Sequence, residues 1–145
     1  MSVPVVEEIA RKLGGKTVLG AEIHSNGDLA NLVRRRLPLM VLIKLPSSGI
    51  TDKEIERFVI PARTRRHRAA KMEPLTVDES DRTVRLLRIQ TLAEDTFGDK
   101  GKAATWLRRP LRLLDSEAPL DVAQTEAGAR VVENILAKIA WGAAA

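Results

Sequence analysis

Between Pro61 and Glu73 the chain carries Arg63, Arg65, Arg66, His67, Arg68 and Lys71, with no acid among them and little that is apolar. Like charges this dense repel one another on an isolated helix. The arrangement makes sense where the segment lies against negative charge. A nucleic-acid backbone supplies that charge, and counterion release drives binding to it. Arginine forks also address guanine edges in the major groove. If the segment is the second helix of a helix-turn-helix, its N-terminal residues reach the bases. Arg63 and Arg66 are then the expected base contacts, Arg65, Arg68 and Lys71 the expected phosphate contacts, with His67 beside them. The competing reading is a solvated basic face, or arginines paired with Asp78, Glu79 and Asp81 of the next segment.

Other chemistry is missing by residue type and by spacing. There is no cysteine, and the two histidines stand far apart, so no metal-ligand set of the usual kind is expected. Glu7-Glu8 and Glu94-Asp95 are neighbours in sequence and diverge on a helix, which does not suit acid/base partnership. Gly98-Asp99-Lys100-Gly101-Lys102 lacks the P-loop spacing and its hydroxyl residue and reads as a loop between helices. No catalytic residue, metal or cofactor is expected, and the chain reads as a non-enzyme.

The elements that must position the basic run are helical. Val6, Ile9, Ala10 and Leu13 share one face of a helix from Val3 to Leu13, ended by Gly14-Gly15. Lys16–Ile23 is ambiguous and strand-like by residue type. His24-Ser25-Asn26-Gly27 is a turn or cap, leading into a helix from Asp28 to about Arg36. Leu39–Ile43 has strand propensity, but a lone strand leaves its backbone groups unpaired, so a helix is expected. Pro46-Ser47-Ser48-Gly49 is a turn. Thr51 with Glu54, and Thr76 with Glu79, are capping-box pairs that open two helices, the second running to about Phe97. Pro61 suits the first position of the helix between them. On the long helix, Leu86, Ile89, Ala93 and Phe97 recur at helical spacing. Val131, Val132, Ile135, Leu136 and Ile139 form a broad apolar face on a last helix, with Gly142 placed to end it.

At 145 residues there is room for one domain or two small ones. The apolar fraction is 44%, but Phe58, Phe97, Trp106 and Trp141 are the only aromatics, so the core must be aliphatic and alanine-rich. The absence of cysteine fits a reducing cytosol, and the N-terminus shows no signal pattern, so a cytoplasmic location is expected. The longest apolar run, Leu37–Pro46, is interrupted by Lys44 and falls well short of the roughly 20 residues of a membrane span. The net charge of +5 is uneven. Residues 1–92 hold 17 basic and 11 acidic side chains, whereas 93–145 hold 7 and 8. A polyanion partner is therefore expected for the first part and not for the second. The expected organisation is a helix-turn-helix region over 1–92 and a smaller helical unit over 93–145.

Two stretches resemble a known family. Phe97-Gly98, Ala103, Trp106-Leu107, Pro119-Leu120, Thr125/Gly128 and the closing Gly142 resemble, in that order, the toxin-binding domain of the Xre/MbcA/ParS antitoxins. Gly49-Ile50-Thr51, Glu54-Ile55, Phe58 to Pro61, Arg63-Thr64, Arg68, Pro74-Leu75-Thr76 and Glu79 to Arg82 resemble the N-terminal region of Xre-type antitoxins paired with RES-domain toxins. That region is similar to a homeodomain-like or degenerate helix-turn-helix. The family pattern places an aliphatic residue after the Arg-Thr pair, where this chain has Arg65.

The resemblance implies an all-α antitoxin of a type II toxin–antitoxin pair. Its partner would be a RES-domain toxin that depletes NAD. It also implies homodimers, a higher-order complex with toxin, and repression of the shared operon through operator DNA. The toxin-facing residues expected on that reading are Arg108, Arg109, Lys138 and Trp141, with Gly142 permitting close approach. Trp106 is expected in the core. Two alternatives stand beside this. One is a stand-alone helix-turn-helix regulator whose C-terminal helices dimerise it. The other is an antitoxin that no longer binds DNA alone, as Arg65 hints.

Overall fold

The computed structural model describes residues 1–144, with side chains described through Gly142. The chain is helical, with no strand among the described residues and one isolated bridge between Leu111 and Glu117. It divides into two compact units between Val84 and Arg85, within one continuous helix. The boundary expected near residue 92 falls in that same helix.

In the first unit, α1 (Val3–Lys12) buries Val6, Ile9 and Ala10, and Leu13 just beyond it is buried too. Only the first half of the ambiguous segment after it is helical: α2 (Gly15–Leu19) is little more than one turn, and residues 20–23 form no regular element. No neighbouring strand offers hydrogen bonds there, and a turn pairs its backbone groups locally. α3 (Asn26–Arg34) starts two residues before the expected Asp28, because Ser25 caps it and Asp28 completes a capping box. It also stops before Arg36, which takes a left-handed φ of 69°. The Arg36 Nε then donates to the Leu75 carbonyl at 2.8 Å.

α4 (Val41–Lys44) is helical as expected despite its strand propensity. It passes into a 3-10 turn over Leu45–Ser48 that contains Pro46. Val41, Leu42 and Leu45 are buried with Ile50, Ile55, Phe58, Val59 and Ile60. α5 (Asp52–Phe58) has both bonds of the Thr51/Glu54 capping box, at 3.1 and 3.0 Å. α6 (Ala62–Ala70) follows after three residues, with Pro61 as its cap rather than its first helical residue. The Thr76/Glu79 box opens α7 (Val77–Phe97).

The second unit takes α7 from Arg85 onward, where Leu86, Ile89 and Ala93 are buried as their spacing predicts. α8 (Lys100–Arg108) is capped by Asp99, which accepts from the Lys102 N–H at 2.8 Å. Trp106 is a core residue, its ring centre 5.6 Å from that of Phe97 and tilted against it by 54°. A 3-10 turn over Arg112–Leu114 and the short α9 (Pro119–Val122) lead to α10 (Glu126–Ala144). The start of α10 passes so close to the end of α9 that a Cβ on Gly128 would lie 1.8 Å from the Val122 carbonyl oxygen. Only glycine fits there. Gly142, by contrast, does not end its helix, because α10 continues to Ala144. Glycine within a helix costs about 1 kcal/mol relative to alanine, and the alanines that follow favour helix strongly.

Candidate functional site

Two surfaces stand out, one in each unit. The first is the helix pair α5–α6. α6 has no buried residue. Hydrophobic packing therefore does not hold it in place, and charged side chains take that role. The Arg68 guanidinium bonds both carboxylate oxygens of Glu79, with Nη2–Oε2 at 3.2 Å and the Nη1–Oε1 prong beside it. Arg68 Nη1 also reaches the Pro74 carbonyl at 3.4 Å. Burial alone would raise the Glu79 carboxyl. The Thr76 N–H and the Arg68 guanidinium outweigh it and hold the group below the ordinary glutamate range. Arg65, in the place of the aliphatic residue, lies 3.5 Å from Asp52 at the start of α5. Arg82 of α7 donates to the Val59 carbonyl at 2.8 and 3.2 Å, fixing the turn between α5 and α6.

The basic residues of α6 thus divide. Arg63, Arg66, His67 and Lys71 are exposed, Arg65 is half-buried, and Arg68 is turned into its own chain. Arg63, Arg66, His67 and Arg68 line one open cleft of about 730 Å³, together with Thr64 and Glu73. Arg65 lines a different groove, and Lys71 lines neither. Sequence reading missed that Arg36 and Arg82 brace this region from outside it. The expectation that an acid of the next segment pairs with α6 holds for Glu79.

The second surface belongs to α10. Its apolar residues do not share one buried face. Ala129, Val132 and Leu136 are buried, while Val131 is 46% exposed and Ile135 and Ile139 are half-buried. The outward stripe joins Leu113, 74% exposed on the 3-10 turn, around a groove of about 500 Å³ that also includes Lys138. Trp141 follows at 78% exposed, and Gly142 has nothing within 4 Å of where a Cβ would sit. Lys138 and Trp141 are therefore on the open surface of one helix. Arg109 is exposed at the end of α8, and Arg108 folds back to donate to the Ala104 carbonyl at 3.1 Å. Leu113 was not singled out by the sequence, and Val131 was placed on the apolar face of the last helix with no sign that it stays uncovered. The only signal for an uncovered half is that a face with five branched residues is wider than a small unit can cover.

Two arginines hold α10 in place. Arg88 bonds Glu133 at 2.6 Å and Glu126 at 3.0 Å, and Arg85 bonds the Gln124 carbonyl at 3.0 Å. Burial would raise the Glu126 carboxyl, but the charge of Arg88 and the bonds from both arginines hold it low. Among the described residues no group of histidine and acidic side chains is placed to hold a metal ion. Nor is any described helix long and apolar enough to cross a membrane.

Comparison with known proteins gives matches to both halves. Residues 28–88 match the antitoxin Xre-like helix-turn-helix domain, and residues 92–142 match the antitoxin Xre/MbcA/ParS C-terminal toxin-binding domain. The chain is 39% identical over 121 residues to Antitoxin Xre of Pseudomonas putida, covering 83% of this chain and 76% of that protein. It is 33% identical over 127 residues to Antitoxin Xre of Photorhabdus laumondii, covering 86% of each. It is 32% identical over 119 residues to the Prs ADP-ribosylating antitoxin of a Sphingobium species, covering 66% of this chain and 75% of that protein.

Proposed function

The chain belongs to the Xre antitoxin family, with a helix-turn-helix domain and a toxin-binding domain, and from that premise we propose that it neutralises its toxin by steric cover. The observation that carries this is the apolar groove of α10, left open beside an exposed Trp141 and a flexible cation, Lys138. Buried aromatic and arginine anchors dominate the energy of protein interfaces. Trp141 is the anchor, Lys138 and Arg109 pair with acids at the rim, and Gly142 lets the partner backbone come close. Arg108 is the weakest member of the set, because it already bonds its own helix. The partner is a RES-domain toxin acting on NAD, in keeping with the resemblance of Gly49–Arg82 to antitoxins of that pairing. The antitoxin itself is non-catalytic and works in the cytoplasm.

DNA is the second partner. Arg63, Arg66, His67 and Lys71 face outward and supply the contacts to operator DNA that repress the operon. Arg65 contributes from the edge. Arg68 acts as a positioning residue: its bond to Glu79 fixes the helix that carries the others. The test is a chain ended at Leu136, which lacks Lys138, Trp141 and Gly142. It should keep the helices of the first unit and lose toxin binding. Undiminished neutralisation by that chain rejects the steric reading. Failure to co-purify any small toxic partner favours the stand-alone regulator instead.

A further inference from the structure

Arg34, Arg35 and Arg36 are the only three consecutive lysine or arginine residues in the chain. They stand at the end of α3, and the contacts assigned to α6 use none of them. Arg36 takes a left-handed φ of 69° and turns back onto its own chain, donating to the Leu75 carbonyl at 2.8 Å and the Pro74 carbonyl at 3.3 Å. Arg34 and Arg35 are exposed, and among the described residues neither side chain has a hydrogen bond or an ion pair. Glu73 and Asp78, exposed acids on either side of the Pro74–Leu75 loop, do not pair with them. Cations complement the negative end of a helix, yet two adjacent guanidiniums with no acid beside them also repel one another. An anion from outside the chain relieves that repulsion.

The loop between α6 and α7 fixes where this pair stands. The Pro74 carbonyl that accepts from Arg36 also accepts from Arg68 of α6, at 3.4 Å. One atom therefore ties the end of α3 to the basic helix. Two further bonds hold the same junction: the Leu75 N–H donates to the Leu37 carbonyl, and the Leu37 N–H to the Ser80 hydroxyl, each at 2.9 Å. Arg34 and Arg35 thus lie by the C-terminal end of α6, where Lys71 is also exposed. Arg63 and Arg66 are at or toward the other end of this nine-residue helix, which is about 13 Å long.

We propose that Arg34 and Arg35 form a second DNA site, a clamp on phosphates that flank the stretch addressed by α6. The clamp rests on the DNA-binding part of the proposed function and adds contacts which that reading does not contain. Both arginines fall within residues 28–88, the part that matches the helix-turn-helix domain. Phosphate contacts set register and affinity and carry no sequence information directly. The pair therefore tightens binding to any duplex and leaves the choice of operator to α6. Arg36 is a positioning residue, holding the other two beside the basic helix. Toxin neutralisation by α10 does not depend on the clamp.

The experiment measures binding of the full chain by fluorescence anisotropy across a salt series. It uses two duplexes of equal length, the operon's own promoter region and an unrelated sequence. R34Q/R35Q removes both charges and keeps long side chains that favour helix, so it should melt near the wild type. Its slope of log affinity against log salt should fall by about two, one for each phosphate contact. Its affinity should fall by the same factor on both duplexes. R34K/R35K keeps the charges and should keep the slope. K100Q/K102Q removes two exposed charges from the second unit and should leave the slope at the wild-type value. An unchanged slope in R34Q/R35Q, a loss confined to the promoter duplex, or an equal fall in K100Q/K102Q overturns the proposal while leaving DNA binding by α6 intact. A wild-type chain that binds neither duplex rejects the DNA-binding reading itself, and the clamp with it.

Discussion

Arg68 of α6 and Glu79 of α7 meet through both carboxylate oxygens, and their side chains are only 13% and 8% exposed. The same carboxylate accepts the Thr76 N–H at 2.8 Å to close the cap of α7. One buried acid therefore starts one helix and holds another. α6 has no apolar anchor, so the position of its outward arginines depends on this ion pair and on the turn that Arg82 braces.

Removing one member of such a pair leaves the other charge buried and unpaired, which destabilises by about 3–5 kcal/mol when burial is complete. Both side chains here keep some exposure, so Arg68→Ala should cost about 2–3 kcal/mol, read as a lower urea midpoint. The pair also sets a pH dependence. The Glu79 carboxyl titrates below the ordinary range in the folded chain. Its contribution is fully present above the unfolded carboxylate value and is lost as pH falls through the folded one. Glu79→Gln should therefore lower stability at neutral pH and flatten the acid limb of the stability curve. An unchanged acid limb would show that Glu79 does not govern it.

Arg63 and Arg66 are exposed, so their replacement should leave stability within about 0.5 kcal/mol. On the proposed function their effect is on DNA binding. If each reaches a phosphate or a base edge, alanine at either weakens binding to the operon's own promoter region. An alanine that removes a phosphate partner also lowers the slope of log affinity against log salt by about one. Fluorescence anisotropy across a salt series measures both quantities. A slope that stays at the wild-type value in the double variant removes the basic face of α6 from the DNA interface.

Gly128 and Gly142 make opposite predictions. Gly128→Ala forces a methyl group into the Val122 carbonyl, and backbone on both sides prevents relief. Overpacking of this kind costs about 1–3 kcal/mol or more and should appear as early melting of the second unit, followed through Trp106. Gly142→Ala meets no atom and replaces a poor helix former, so the fold should be unharmed or slightly firmer. If Gly142 admits the toxin backbone, the alanine chain is stable yet binds toxin more weakly. Equal binding by that chain would show that close approach is not needed there.

The helices were legible because their start signals are local. Thr51 with Glu54 and Thr76 with Glu79 form the bonds their spacing predicts, since a capping box involves only four consecutive residues. Ends were less legible. Arg36 leaves its helix to bond carbonyls some forty residues away, which no local pattern records. The same limit explains the site. Arg68 and Arg63 are equivalent in sequence, and only the placement of Glu79 makes one structural and the other free. The apolar face of α10 was visible as a face, but which half stays open shows only in the structure, where Leu113 from another element lines the groove beside it.

That uncovered half gives the sharpest test of the proposed toxin surface. Leu113 and Trp141 are 74% and 78% exposed, so neither supports the fold. Leu113→Arg and Trp141→Ala should each leave the helical signal and melting temperature near wild type. An anchor side chain at an interface costs about 2 kcal/mol or more when truncated, about 30-fold in affinity. Trp141→Ala should therefore weaken toxin binding by at least about that factor, and Leu113→Arg should do so by placing a charge against the apolar groove. The two changes lie at different points of one surface, so a chain carrying both should fail to protect cells from the toxin while still binding operator DNA. Protection by the double variant at wild-type level would move the toxin interface off α10.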